Sequence, residues 1–322
     1  MSPSLEVVWA SSLSAADGED YNRFVNESAA GHYAQTRAWA RVARETQPSV
    51  VRYFLARDAG RVVGTALVVR AALGPLPLPV ATVDRGPVVG RPGDIERVAS
   101  SLASTARAHG VIRLAVMPYW AGEDGTSASR GLVLAGFHDV QRPHGAHADT
   151  LRIDLEATTA EALVGPGQER LRRRLAQATR AGAVARRGTR LDFERHRLLT
   201  AQMMQAQGRS THSAAHDDAL WKDMLADGAR GALFVCEQGG RTVATVVVLR
   251  HGNVAVYAQG ATTAEPSKIS KSVPPLLAAI AWARDAGCRV FDLGGIPACF
   301  GDDEPSRPGQ GRTECDKLSV GD

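Results

Sequence analysis

Residues 53–69 read YFLARDAGRVVGTALVV, and residues 233–249 read LFVCEQGGRTVATVVVL. Each stretch has two apolar runs rich in β-branched residues, separated by a short turn that contains glycine, which is the pattern of a β-hairpin. Gly60 and Gly240 are the natural turn residues, and Arg61 and Arg241 follow them at matching positions. The sequence therefore predicts two hairpins of the same kind, 180 residues apart.

The elements after each hairpin repeat as well. A further strand, an alanine-rich helix that ends before glycine, and a last apolar strand follow in both halves, with the helices predicted over 94–109 and 274–286. The offset between the copies stays between 174 and 180 residues, which indicates a tandem duplication. We therefore predict an α+β protein with two mixed central sheets flanked by helices and with domains at 1–149 and 150–322.

Composition limits the class of protein. The 322 residues are 44% hydrophobic and 22% charged, which is typical of a chain that folds in water and is long enough for two domains. The first residues lack a basic stretch followed by an apolar one, and we find no run of about 18 uncharged apolar residues. We expect neither secretion nor a membrane span, and a cytoplasmic location.

Cysteine and histidine spacing gives no sign of a metal site. The four cysteines lack CxxC spacing, so the sequence predicts neither a disulfide framework nor a zinc knuckle: Cys236, Cys288, Cys299 and Cys315. The histidine pairs 144/147 and 212/216 have no third ligand nearby in the sequence. We interpret them as surface or hydrogen-bonding residues and expect no metal.

Positive charge is concentrated in one segment. Residues 168–190 carry eight arginines against the single acid Glu169, a net charge of +7, whereas the whole chain carries +4. The segment 168–181 has helix-forming residues and ends at Gly182, so we predict a helix with several guanidinium groups on one face. A solvated arginine-rich face would explain this pattern, but so local a cluster favours binding to phosphates. Aromatic residues make up only 5% of the chain, which favours contact with a nucleic-acid backbone over base stacking.

Three groups of short strings occur together with this segment. The first is HYAQTRAW at 32–39; the second is the basic segment followed by Arg209; the third comprises YAQGAT at 257–262, AWARDAG at 281–287 and FDLGGI at 291–296. Together they resemble the FemABX family of aminoacyl-tRNA-dependent aminoacyltransferases, which are tandem GNAT-like proteins. The resemblance covers nearly the whole chain and fits the short form of the family, without a helical arm.

The resemblance implies that an acceptor amine attacks the ester carbonyl of an aminoacyl-tRNA, which is the co-substrate, with no further cofactor. It gives Lys317 a catalytic role in stabilising the developing oxyanion. It implies that substrate is bound by Arg209, Tyr257 and Arg44. Arginines of the basic helix would bind the tRNA: Arg170, Arg172, Arg173, Arg174 and Arg180.

Departures from the family pattern concern the acceptor. Ala43, next to Arg44, stands where members acting on nucleotide-linked cell-wall precursors tend to have lysine, and Met117 precedes Pro118 where some have aspartate. We therefore expect a small peptide-like or antibiotic-intermediate acceptor. Transfer to a peptidoglycan precursor, transfer from acyl-CoA, and a catalytically decayed RNA-binding module are the alternatives. The string Arg61–Ala66 matches the R/QxxGxG/A motif of CoA-binding GNAT proteins, but it lies within a predicted strand, so we do not assign CoA binding to it.

Overall fold

The computed structural model describes residues 5–46, 49–74, 76–139, 149–158, 160–265 and 269–296. The chain divides into two compact units. One comprises Met1–Val140 with His212–Met224, and the other comprises Gln141–Thr211 with Leu225–Asp322. The sequence predicted a single boundary between residues 149 and 150; the structure instead assigns a segment from the second half of the chain to the first unit.

Each unit is built around a sheet flanked by helices. The strands are β1 (Glu6–Ala10), β2 (Ser49–Asp58), β3 (Arg61–Leu73), β4 (Leu76–Val83), β5 (Val88–Val89), β6 (Arg113–Val116), β7 (Asp149–Asp154), β8 (Val184–Arg187), β9 (Gly231–Gln238), β10 (Arg241–His251), β11 (Val254–Thr262) and β12 (Val290–Ile296). The helices are α1 (Ala15–Glu27), α2 (Arg37–Glu45), α3 (Ile95–Ala108), α4 (Gly122–Leu134), α5 (Ala160–Leu163), α6 (Glu169–Arg180), α7 (Arg190–Ala206), α8 (Ala214–Leu220) and α9 (Val273–Asp285).

The two sheets have the same kind of topology. In the first unit the strand order is β1-β2-β3-β4-β6, with β5 beside β3, and in the second it is β7-β12-β11-β10-β9-β8. Neighbouring strands are antiparallel except for β4 with β6 and β11 with β12. These parallel pairs are joined by the helical crossovers through α3 and α9, as parallel strands require. The predicted α+β duplication is confirmed.

The two quoted stretches form the β2–β3 and β9–β10 hairpins. Ala59 and Gly60 have φ of 47° and 76°, and Gly239 and Gly240 have φ of 57° and 73°. Two consecutive left-handed residues form the type I′ turn that suits the twist of a two-residue hairpin. Asp58 therefore pairs with Arg61, as Gln238 pairs with Arg241.

Each sheet buries apolar side chains beneath its helices. On one face of the first sheet Phe54 and Val68 contact the buried residues of α3, and on the other Leu55 and Leu67 pack with residues of α1 and α2. In the second unit the largest cluster joins β-strand residues such as Phe234 and Phe291 to α9. These alternating strand residues and the helices above them fix the position of every strand that carries the candidate site.

Helix α8 packs against α2 within the first unit. The Ser213 hydroxyl donates a hydrogen bond of 2.9 Å to the Glu45 carbonyl oxygen. The Arg41 guanidinium lies 2.6 Å from the Asp223 carboxylate. Leu220 and Met224 are buried. In the order of elements, α7 and α8 stand where α1 and α2 stand in the first half, so the repeat predicts a helix here but gives no signal that it packs in the first unit.

Among the residues that the structure describes, no helix combines the length and the apolar character needed to cross a bilayer. Cys236 and Cys288 are free, buried thiols, and burial raises the pKa of both, that of Cys236 to about 11. The high pKa keeps these thiols protonated and unreactive at neutral pH. Cys299 and Cys315 lie outside the described residues.

The Arg61–Ala66 string lies inside β3, and its glycine serves helix packing. A Cβ atom on Gly64 would lie 2.5 Å from Cγ1 and 2.7 Å from Cγ2 of Val98, which is fully buried on α3. A β-branched side chain in a helix has one strongly preferred rotamer, so Val98 has little freedom to move aside. Gly64 therefore permits the close approach of α3 to β3.

We predict that Gly64→Ala lowers the free energy of unfolding by about 1–3 kcal/mol, because the added methyl overlaps Val98. Urea denaturation followed by circular dichroism measures this. Gly93→Ala is the matched control, since a Cβ there meets nothing within 4 Å, and its effect should stay within about 0.5 kcal/mol. Equal stability of the two variants would contradict this interpretation of Gly64.

Candidate functional site

The two parallel strands of the second sheet separate halfway along their length. β11 and β12 pair from Val254 and Val290 to Val256 and Asp292. Beyond that point β11 continues to pair with β10, and β12 continues to pair with β7. In this described stretch, backbone groups of β11 that face β12 have no strand partner. Unpaired N–H and C=O groups at such a gap are available to hydrogen-bond a ligand.

A bulge in β12 causes the separation. Asp292 Oδ1 accepts a hydrogen bond of 2.7 Å from the Gly294 N–H and another from the Thr150 hydroxyl. Gly294 has φ of 82°, a conformation that favours glycine, and a Cβ there would lie 3.3 Å from the Tyr257 carbonyl oxygen. The pairing of β12 with β7 shifts between Asp292 and Gly295. The carboxylate of Asp292 therefore stabilises the bend in the strand.

The corresponding strands of the first unit stay together. β4 and β6 pair from Val80 with Arg113 to Val83 with Val116. The next amide, the N–H of Met117, lies 3.1 Å from the Val83 carbonyl oxygen and 3.0 Å from that of Gly86. Among the described residues of the two sheets, the gap between parallel strands therefore occurs in the second unit.

Tyr257 stands on β11 where the gap begins. Its side chain is partly buried against the core of the second unit, and burial raises the pKa of the phenol. The hydroxyl therefore stays protonated at neutral pH and is able to donate a hydrogen bond. It lies directly over Gly260, where a Cβ atom would overlap it. The absence of a side chain at Gly260 thus leaves room for the Tyr257 hydroxyl.

A buried histidine holds a second polar side chain of β11. His196 of α7 is 2% exposed, and its Nδ1 lies 2.9 Å from the Thr245 hydroxyl. Its Nε2 lies 3.0 Å from Oε1 of Gln259. With that oxygen engaged, the amide group of Gln259 is fixed two residues beyond Tyr257. Sequence reasoning missed this group, although His196 follows Phe193 with the three-residue spacing of a buried helix face.

Helix α6 separates its apolar and basic faces. Leu171, Leu175 and the fully buried Ala178 lie on the packed side. On the other side the helix lines a shallow surface depression with residues at helical spacing: Glu169, Arg170, Arg172, Arg173, Ala176 and Arg180. Arg172, Arg173 and Arg180 are exposed. This row of cations on an otherwise packed helix is suited to bind several phosphates in succession.

Cations crowd one another on this helix. Arg174 is partly buried, and burial followed by repulsion from Arg170 and Arg173 lowers the pKa of its guanidinium. An anion bound nearby would relieve this repulsion. The five arginines predicted to contact tRNA all belong to this one helix: Arg170, Arg172, Arg173, Arg174 and Arg180.

Two other arginines of the basic segment are part of internal ion pairs. Arg186 lies 2.8 Å from Asp192 and 2.6 Å from Glu237. Arg190 lies 3.1 Å from Glu194. Hydrogen bonds from Arg186, and then from Thr189, lower the pKa of Asp192 to about 2. The basic surface is therefore smaller than the sequence segment 168–190.

The start of α9 and Lys271 just before it give little support to a bound pyrophosphate. Pro274 and Pro275 stand at the second and third positions of α9, where they remove two of the backbone N–H groups that a helix N-terminus offers to an anion. Lys271 donates its ammonium hydrogens to Thr263 and to the Glu265 carbonyl oxygen. This arrangement differs from the amide cradle that binds CoA phosphates in GNAT proteins.

Comparison with known families and structures agrees with this architecture. Residues 17–216, well over half of the chain, match the model of the FemAB family. The chain belongs to the FemAB family. Residues 167–304 of this FemAB protein match an acetyltransferase (GNAT) domain. The two matches support an enzyme that transfers an acyl group.

Solved structures share the fold of this FemAB protein at low sequence identity. The crystal structure of FemX has a TM-score of 0.72 at 15% identity, covering 94% of this chain and 92% of that one. The C-terminal domain of a putative lysylphosphatidylglycerol synthetase from Agrobacterium fabrum has a TM-score of 0.56 at 15% identity, covering 88% and 79%. A tandem GNAT protein from the clavulanic acid biosynthesis pathway has a TM-score of 0.51 at 16% identity, covering 89% of each chain. A comparison with curated protein sequences gives no match.

The HYAQTRAW string at 32–39 has a structural explanation in the first unit. Gln35 is fully buried; its Oε1 accepts a 2.7 Å hydrogen bond from the Leu67 N–H, and its Nε2 donates to the Asp84 carbonyl oxygen. Thr36 accepts a hydrogen bond from the Trp39 N–H and so caps α2. The Gln-Thr pair therefore joins β3 to the chain beyond β4 and starts the next helix.

The predicted site residues fall in both units. Tyr257 and the α6 arginines lie in the second unit, as does Arg209, which is exposed just after α7. Arg44 lies in the first unit, where it donates a 2.7 Å hydrogen bond to the Ser11 carbonyl oxygen and its guanidinium carbon lies 5.6 Å from the centre of the Tyr53 ring. Lys317 lies outside the described residues, so its role stays a prediction.

The histidine pairs complete the set of sequence features. His212 and His216 stack with ring centres 4.3 Å apart, and Nδ1 of His216 lies 3.2 Å from Asp217. His144 and His147 lie outside the described residues. Within the ranges that the structure describes, no three His, Cys, Asp or Glu side chains are grouped to hold a metal ion.

We predict strong coupling between Gly260 and Tyr257. Gly260→Ala should destabilise the protein by about 1–3 kcal/mol because the new methyl overlaps the phenol. In a Tyr257→Ala background the same change should cost much less, since the ring is gone. A double-mutant cycle of urea unfolding free energies measures the coupling, and additive effects would contradict the proposed contact.

We predict a pH-dependent contribution from Asp192. Its folded-state pKa of about 2 lies below the ordinary value of 3.8, so its ionised form stabilises the fold above about pH 4, and this contribution disappears as the pH falls towards 2. Asp192→Asn should cost about 2 kcal/mol at pH 7. The difference from wild type should shrink between pH 4 and pH 2 in urea titrations.

Asp227→Asn provides the control for this experiment. Asp227 forms an exposed pair with Arg230 at 2.8 Å, and exposed pairs contribute less than about 1 kcal/mol. A loss for Asp192→Asn as small as that of the control, or one that does not change with pH, would refute the assigned role of the Arg186–Asp192 pair.

Proposed function

We propose that this protein is an aminoacyl-tRNA-dependent aminoacyltransferase. The amine nitrogen of an acceptor forms a bond to the carbonyl carbon of the aminoacyl ester, the bond from that carbon to the ribose oxygen breaks, and the amine proton ends on the released hydroxyl. The observation that carries the proposal is the basic face of α6, which lies in the same unit as the gap between β11 and β12.

Both helix N-termini that would receive the pyrophosphate of acyl-CoA argue against that donor. In the second unit, Pro274 and Pro275 remove N–H donors from the start of α9. In the first unit, Asp94 and Glu96 place negative charge at the start of α3, where it repels a phosphate. The exposed arginines of α6 are instead the cations of the second unit that suit a chain of phosphates, which favours a nucleic-acid donor.

The chemistry requires little from side chains. An aminoacyl ester is already activated, and an α-amine with a pKa near 8 is partly neutral at cellular pH. Holding the amine in line with the ester supplies much of the rate enhancement. Unpaired backbone groups of β11, the protonated hydroxyl of Tyr257 and, by family resemblance, Lys317 would orient the ester and stabilise the oxyanion. The neighbouring hydroxyl of the terminal ribose is suited to relay the proton.

The acceptor that we propose is a small peptide-like amine or an antibiotic intermediate. Ala43 is buried in the core of the first unit, and Met117 follows β6 with its amide bonded to the chain. Neither position offers the polar side chain that nucleotide-linked acceptors meet in some relatives. A peptide-like acceptor without a nucleotide is consistent with both substitutions.

We predict that product formation from aminoacyl-tRNA and a dipeptide amine stops when RNase is added. Replacing two exposed α6 cations, in Arg172→Glu/Arg173→Glu, should weaken tRNA binding at least tenfold. It should also reduce the slope of log affinity against log salt concentration by about 1–2, since two phosphate contacts are lost. Filter binding at several salt concentrations and radiolabelled product formation measure the two effects.

The control makes the same change of charge elsewhere in the second unit. Arg195 and Arg241 are exposed, and Arg195→Glu/Arg241→Glu should leave both the salt slope and turnover near wild type. A parallel reaction replaces aminoacyl-tRNA by acetyl-CoA. Transfer that survives RNase, or that proceeds from acetyl-CoA, would contradict the proposed donor.

A further inference from the structure

An apolar pocket lies beside the bulge in β12. Its volume is about 250 Å³, and its walls come from five elements of the second unit: β7, α5, α6, α9 and β12. Leu151 and Ile153 of β7, Leu293 of β12, Leu276 and Ile280 of α9, and Leu171 of α6 line it. Leu293 stands between Asp292 and Gly294, so the pocket adjoins the site where the two strands separate.

The pocket and the basic surface share helix α6. Gln168 and Leu171 face the pocket, and the residues that immediately follow, Arg172 and Arg173, belong to the basic surface. The two features therefore lie within one helical turn of each other. Such a juxtaposition fits a ligand that joins an apolar group to a phosphate chain. An aminoacyl-tRNA with an apolar amino acid is a ligand of this kind.

We propose that this pocket binds the side chain of an apolar amino acid, of the size of valine, leucine or phenylalanine, carried on the tRNA. The inference rests on the proposed function and names the class of amino acid transferred. Among the described residues that line the pocket, Gln168 alone has a polar side chain. A charged side chain would lose its hydration there without meeting an opposite charge. Glycine and alanine would leave most of the volume unfilled.

The size of the pocket predicts graded selectivity. Each methylene moved from water into an apolar pocket strengthens binding by about fourfold. Leucine should therefore bind at least tenfold more tightly than alanine on the same tRNA. Aspartate and lysine, which carry a charge, should not raise the affinity above that of tRNA without an amino acid.

The test measures the binding of one tRNA that carries different amino acids through a stable 3′-amide. Uncharged tRNA and the alanyl, valyl, leucyl, phenylalanyl, aspartyl and lysyl forms are compared on the wild-type protein by filter binding. We expect the leucyl, phenylalanyl and valyl forms to bind more tightly than the alanyl form. The aspartyl and lysyl forms should have the same dissociation constant as tRNA without an amino acid. Equal dissociation constants across this set would overturn the proposal.

A variant links the selectivity to the pocket. Leu151 is 46% exposed. The larger side chain of Leu151→Trp should therefore fill the pocket without entering the buried core. This variant should bind leucyl-tRNA and alanyl-tRNA equally while keeping the wild-type affinity for uncharged tRNA. Leu198→Trp changes another exposed leucine of the second unit and should keep the wild-type preference. Circular dichroism confirms folding, and retained selectivity in Leu151→Trp would overturn the assignment.

Two further results separate this inference from the proposed function. Salt-sensitive binding of tRNA that is independent of the amino acid would refute the pocket assignment and leave the tRNA-dependent reaction intact. No binding of tRNA in any form would refute the proposed function itself. The last comparison titrates the protein with acyl-CoA. If affinity rises from acetyl-CoA to octanoyl-CoA and this rise is lost in Leu151→Trp, the pocket binds an acyl chain instead and the proposal is overturned.

Discussion

The bulge at Asp292 and Gly294 determines the arrangement of the candidate site. β12 must leave β11 while remaining paired with β7, and this requires a left-handed residue at Gly294 and a partner for its amide. The Asp292 carboxylate supplies that partner. Everything at the gap follows from this bend: β11 exposes backbone groups, Tyr257 stands at the opening, and Leu293 faces the apolar pocket. The equivalent strands of the first unit lack the bulge and stay paired.

Helix α6 combines two kinds of surface within a few residues. Its packed side continues into the pocket through Leu171, and its outer side carries the exposed arginines. Arg186 and Arg190, close by in sequence, are engaged in ion pairs that stabilise the start of α7. Some arginines of this region therefore stabilise the fold and others remain exposed for the proposed contact with a polyanion, a difference that the sequence does not reveal.

Much of the fold followed from the sequence because it depends on local patterns. The hairpins of 53–69 and 233–249, the helices ending at glycine and the duplication rest on turn residues and periodicity. The site was less predictable. Gln259 and His196 are in contact across 63 positions of the chain, and the pocket is lined by five separate elements, so no short string predicts either. The FDLGGI string was visible as a family resemblance, but its physical reason, a bend stabilised by Asp292, required the coordinates.

Helix α8 has a consequence for the ancestry and handling of the chain. Two copies of one domain joined end to end, each folding independently, could be separated at the junction between them. Here the polypeptide returns to the first unit at residue 212 and leaves it again at 224, after Leu220 and Met224 have been buried. Cutting the gene at the duplication point would strip one half of a packed helix and leave apolar side chains uncovered on the other. The duplicated halves have thus lost the modularity with which a duplication begins.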